Sequence, residues 1–264
     1  MKLDLAQMVA LTSYGNAYLT NQSISLDLNH STTNSCKKID FIELISNGKT
    51  SEEIPLASKP NEWFEYLRTN DVINLKLHFP PTGGDRISAS MIGGGGKWII
   101  EAFKGSLSDV WEGRWNFNPS GDETRIWSVT YGLTSKNYNL PLIEYPPLEY
   151  WHKELIVGIT KLKKFAIKQS LDQFIDIFQN ALDCIASDDP LSLIIHNDLV
   201  PAEKYERKAK QIFAACTKAW IVAMVNWNDL SFKGKIQKEY TKLSNNLYLK
   251  ICRAIMVATN SILT

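Results

Sequence analysis

A proline-dense segment, Leu140-Pro141-Leu142-Ile143-Glu144-Tyr145-Pro146-Pro147, separates two halves of unlike character. Each Pro fixes its own φ and turns its predecessor away from helix, so this stretch reads as stiff and extended. Before it, glycines and turn formers punctuate short segments. After it, long 3.6-residue periodicities dominate. The division predicts an α+β protein. Residues 1–146 form an antiparallel β-sheet domain with an N-terminal helix, and residues 147–264 an all-helical, four-helix bundle-like domain.

Charge divides at the same place. Residues 1–146 carry 13 basic and 16 acidic side chains, and residues 147–264 carry 16 and 12, so the overall +1 hides a mild dipole. The excess on the helical half is too small for an electrostatic nucleic-acid footprint. Lys161, Lys164 and Lys168, Lys204 and Lys208, and Lys238 and Lys242 recur at helical spacing in a half that interleaves them with Glu203, Glu206 and Glu239, as on a solvated exterior. With 44% hydrophobic and 22% charged residues, the 264-residue chain is neither disordered nor fibrous.

Met1-Lys2-Leu3-Asp4 does not open a secretory signal, and the apolar run 219–225 is far short of the ~20 residues that span a bilayer. Cys36, Cys184, Cys216 and Cys252 make no C-x-x-C pair, and three lie in apolar periodic segments. The expectation is a reduced, cytoplasmic protein without membrane contact.

Local patterns fill in the halves. Asp4 caps an opening helix, with Gln7 three residues on. Residues 39–45 read as a strand and 61–67 as a short helix after Pro60. Ile73, Leu75, Leu77 and Phe79 alternate with polar residues, the period of a half-buried strand. Two hairpins are expected next. One pairs 85–92 with 97–104 around a flexible Gly93–Gly96 tip, with Met91 opposite Trp98. The other pairs 110–117 with 123–131 around Asn118-Pro119-Ser120-Gly121-Asp122. In the helical half, a helix from Pro201 carries Tyr205, Ile212, Cys216, Trp220 and Trp227 on one stripe.

No diagnostic motif appears. Gly93–Lys97 lacks the leading Gly of a P-loop, and Trp98 stands where the Ser or Thr belongs. His30, His78, His152 and His196 form no metal-ligand spacing, so neither a metal nor a cofactor is expected. His196-Asn197-Asp198, a polar turn after an apolar run, is the grouping best suited to orient an imidazole.

The richest signal is aromatic. Trp98, Trp111, Trp115 and Trp127 crowd into the expected hairpins. Trp111, Trp115 and Phe117 lie on one strand face, and Arg114 lies on the other. Such a set is either sheet core or the lining of a pocket or interface. The leading expectation is a non-enzymatic interaction or ligand-binding protein. It would use this sheet or the junction of the halves, through Trp98, Trp111, Trp115, Trp127, Arg114 and His196, to take an unidentified protein or small-molecule partner. A homodimer joined through the opposite charges of the halves is the corresponding assembly. The alternative is an enzyme, a hydrolase for example, with a dispersed site at the junction built on His196 or the carboxylates Glu101 and Glu112.

Overall fold

The computed structural model describes residues 1–20, 23–46, 51–80, 83–119, 124–141 and 143–263. The expected strand at 39–45 becomes β1 (Cys36–Ser46), which turns back into β2 (Ser51–Ala57). Pro60 opens α2 (Pro60–Thr69), where its missing N–H costs nothing, and α2 buries Trp63, Phe64 and Leu67. The chain then reaches the far edge of the sheet as β3 (Asn74–His78). It returns through β4 (Ile99–Phe103), β5 (Ser108–Phe117) and β6 (Trp127–Tyr138). The spatial order is β2-β1-β6-β5-β4-β3.

The class is α+β as expected, but the sheet is mixed rather than purely antiparallel. β6 ends beside β1 and runs parallel to it, with Ile39 opposite Val129 and Phe41 opposite Tyr131. Hairpin turns advertise antiparallel neighbours in sequence. A parallel contact between strands ~90 residues apart has no local signal, because it is set by where the crossover lands.

The hairpin expected between 85–92 and 97–104 does not form. β4 pairs instead with β3 and β5, placing Leu77 opposite Ile100 and Ile100 opposite Trp111. Residues 85–92 fold into bends and a 3-10 turn over Ser88–Ser90. The glycine run is a packed crossing, not a flexible tip. A Cβ on Gly84 would stand 1.8 Å from the Gly95 carbonyl oxygen, and one on Gly94 would stand 1.9 Å from that of Ser88. Lys2 ties this crossing to the protein by donating to the carbonyls of Met91 and Gly94, both at 2.8 Å. The second hairpin does form, as β5 on β6 with Trp115 opposite Val129 and Phe117 opposite Trp127. Most of its expected turn, 120–122, lies outside the described residues, as do Glu123 and Leu142.

α1 (Leu3–Thr20) is buried along most of its length and packs against β3, β5, α2 and α7. Its polar residues are therefore committed. Gln7 donates to the Thr32 carbonyl at 3.0 Å and accepts from the Tyr131 hydroxyl at 2.9 Å. Asn16 accepts from the Leu75 N–H at 2.6 Å and donates to the Leu75 carbonyl at 2.8 Å. Asn260 does the same for Leu77, at 2.8 and 2.9 Å. These two amides cover the free edge of β3, which would otherwise expose unpaired backbone groups.

The second half is helical, with α3 (Leu148–Lys168), α4 (Asp172–Ala186), α5 (Arg207–Ala219) and α7 (Gly234–Thr259) as its long members. α4 packs on α3 and α5, and α7 packs on the same two. The helix expected to continue through Trp227 breaks into a 3-10 turn at Trp220–Ala223. A single short turn, α6 (Val225–Asn228), follows it. One buried apolar cluster joins the sheet, α1 and the helices. Among the described residues no helix is long and apolar enough to cross a membrane.

Candidate functional site

A cavity of about 550 Å³ opens where the edge of the sheet meets the end of α7. Lys76 and His78 of β3, Glu101 and Phe103 of β4 and Ser108 of β5 form one wall. Tyr145 and Pro146 of the proline segment, with Met256 and Val257 of α7, form much of the rest. Arg253 holds Tyr145 in place, with a guanidinium–hydroxyl contact of 3.2 Å and its cation 5.4 Å from the ring centre. The lining thus mixes apolar side chains with polar ones, including Asn139, Asn260 and Ser261 away from the His78–Glu101 group, as in many small-molecule sites.

Strand register builds that corner. Lys76 lies directly opposite Glu101, and His78 lies two residues further along the same face. His78 Nε2 meets Glu101 Oε2 at 2.7 Å, and the Ser108 hydroxyl donates to Glu101 Oε1 at 2.5 Å. Glu101 is only 6% exposed. Burial pushes its carboxyl up, but the hydrogen bonds from His78 and Ser108 outweigh this and hold it below the ordinary carboxylate range. The anion is therefore stable at neutral pH and fixes the imidazole through one nitrogen. Nδ1 is the nitrogen left to accept or donate a proton. Ser108 bonds to the carboxylate rather than to the imidazole, so the three groups do not form a Ser–His–carboxylate relay.

A second polar cluster gathers around His196. Ser31 Oγ lies 2.9 Å from His196 Nδ1 and also bonds to Asp198 Oδ1, and the Ser31 N–H donates to Asp198 Oδ2 at 3.0 Å. His30 Nε2 meets the Asp198 carbonyl at 2.7 Å, and the Tyr14 hydroxyl donates to the same oxygen at 2.9 Å. Burial pushes both imidazoles down, favouring their neutral forms. These groups are turned on one another and staple the loop after α1 to the 196–198 turn.

The aromatic residues divide. Trp111 is fully buried, edge-on to Trp63 at 5.4 Å and close to Phe41 and Tyr66. Trp98 is nearly buried against Phe79, 4.7 Å away. Trp115 and Trp127 are half-buried and pack edge-to-face at 5.7 Å, with exposed Phe117 completing the row. Arg114 is exposed and pairs with Glu53 at 2.9 Å. Glu112 pairs with Lys97 at 2.8 Å, leaving Glu101 as the carboxylate of the cavity.

His78, Ser108 and Lys76 escaped the sequence reading as site residues. The available signal was the polar face of β3, where Lys76 and His78 alternate with buried leucines. It becomes a site only once β4 is paired with β3. All four cysteines are buried thiols, and among the described residues no His, Cys, Asp and Glu cluster could hold a metal ion. No protein-family model matches this sequence, and neither curated proteins nor solved structures give a match to it.

Proposed function

We propose that this α+β protein binds a small, largely apolar molecule in the junction cavity, with a polar group of that molecule directed at His78 and Glu101. The observation that carries the reading is the pairing of His78, Glu101 and Ser108 in the wall of a 550 Å³ cavity whose other walls include Pro, Leu, Ile, Tyr, Met, Val and Phe side chains. Ligand-observed NMR of a fragment library tests it, using Val257→Trp to fill the cavity from α7. Fragments that bind the natural chain and are lost in the variant are the expected result. Fragments binding both equally, or binding neither, overturn it.

A second reading, general acid–base catalysis, rests on the carboxylate-held imidazole. Glu101 accepts the His78 Nε2 proton and Nδ1 serves as the base toward the bound molecule. In that case His78→Gln keeps binding but abolishes conversion of the ligand. Recovery of the ligand unchanged from the natural chain leaves the binding reading alone.

A further inference from the structure

Arg86 is charged, 4% exposed and met by no carboxylate. Its Nε donates to Asn245 Oδ1 at 2.8 Å, and Nη1 donates to the Val222 carbonyl at 2.7 Å and to Asn228 Oδ1. The Tyr240 ring lies 5.7 Å from the guanidinium carbon. All of these partners are neutral, and among the described residues Arg86 makes no salt bridge. The adjoining Asp85 carboxylate is turned to the N–H groups of Ile87 and Ser88, at 3.0 Å each.

The surroundings are built to hold this cation. The 3-10 break at Trp220–Ala223 offers Val222's carbonyl to Arg86. The glycine crossing is tied to α7 by the Tyr248 hydroxyl, which donates to the Gly95 carbonyl at 2.5 Å, and the Arg86 side chain reaches Asn245 of the same helix. A buried unpaired charge is costly even after relaxation, and the neutral oxygens that accept from Nε and Nη1 do not cancel it.

Beside it lies a cavity of about 340 Å³, lined by Asp85, Arg86, Asn228, Tyr240, Thr241 and Asn245 among others, with the Asp85 carboxylate already held by the Ile87 and Ser88 N–H groups. A structural staple needs only the neutral acceptors. It does not need an adjoining cavity whose wall carries further amide and hydroxyl groups. We propose that this cavity is a second ligand site, taking the phosphate or carboxylate group of a small molecule as the counter-charge of Arg86. The guanidinium fork matches either oxyanion, and the volume, at the low end for ligand sites, restricts the occupant to a compact one. This site is lined by residues other than those of the junction cavity.

Thermal melting at constant ionic strength tests the proposal, with chloride replaced by inorganic phosphate in one arm and by acetate in the other. The melting temperature of the natural chain is expected to rise with at least one of them, following binding to the folded state alone. The effective anion identifies the head group. Asn245→Asp puts a carboxylate where Nε already bonds, so this variant should melt higher without added anion and lose the response. Thr241→Trp, at an exposed lining position, should also lose the response while Arg86 and its partners stay intact. Val257→Trp, which fills the junction cavity, should keep it. No shift beyond chloride with either anion, or an undiminished shift in both Asn245→Asp and Thr241→Trp, overturns the proposal.

Discussion

The two cavities treat buried charge in opposite ways. At the junction, both oxygens of the Glu101 carboxylate are hydrogen-bonded, by His78 and Ser108, and the Lys76 cation across the strand pair acts on the same carboxylate. Beside α7, Arg86 has hydrogen bonds to neutral oxygens but, among the described residues, no ion pair. The difference teaches where a ligand's own charge is needed. The first cavity has no net charge to satisfy and offers an apolar wall with an acid–base corner. The second has a cation with no carboxylate in ion-pair contact among the described residues, so an incoming anion can pair with it directly.

Both cavities depend on the same buried cluster, so the largest effect comes from breaking it. Trp111→Ala should cost about 3–5 kcal/mol, measured by chemical denaturation, and should weaken both sites together. The exposed end of the same strand provides the contrast, with Trp115→Ala expected to cost far less because Trp115 is only half-buried. Similar costs at both positions would mean that the aromatic row is one unit.

Glu101→Gln sharpens the comparison next. It leaves His78 without its anion and should cost about 1–3 kcal/mol at neutral pH. Because the folded carboxyl lies below its ordinary value of 4.5, the charged form's contribution is complete above that pH. It is lost as pH falls through the folded value. The gap between natural chain and variant should therefore close in acid. A gap that persists there would assign the cost to packing instead.

The smallest effect is expected at the staple of the His196 turn. His30 and His196 are pushed down from an ordinary 6.5 by burial, so the unfolded chain takes up protons first as pH falls below that value. Stability should decline from about pH 6.5 downward, and His30→Gln with His196→Gln should flatten that limb of the melting profile. An unchanged slope would place the acid sensitivity elsewhere.

Much of the architecture was legible. The period-2 run at 73–79, the Pro60 helix start and the apolar stripes of the second half each carry their own local signal, because backbone periodicity needs no knowledge of the partner. The β5–β6 pairing was legible as well, since strands on either side of a turn-rich segment tend to pair, but its register was not: β6 begins at Trp127, opposite Phe117, rather than at 123. The 85–104 hairpin failed for an instructive reason. Side-chain matches such as Met91 with Trp98 are compatible with pairing but do not compel it. The backbone of 85–92 is instead used to carry Arg86 into the protein and to cross the glycine run.

Of the residues singled out in sequence, Glu101 lies in the junction cavity and His196 in a stapled turn. Trp111 lies in the core, and Trp115 and Trp127 lie at the surface end of the sheet. Nothing in the neighbouring sequence distinguishes Trp111 from Trp115. They share a strand face, and only the position of α2 and its Trp63 decides which one is covered.

By itself the sequence determined the class, the placing of strands before helices, the near-neutral charge and the absence of a local catalytic motif. Those properties follow from composition and from periodicities a few residues long. Tertiary structure alone decided the parallel β1–β6 contact, the meeting of His78 with Glu101 across a strand pair and, among the described residues, the lack of a carboxylate within ion-pair distance of Arg86. Each of these depends on groups far apart in the chain. Their energy depends on distances and burial that no local pattern encodes.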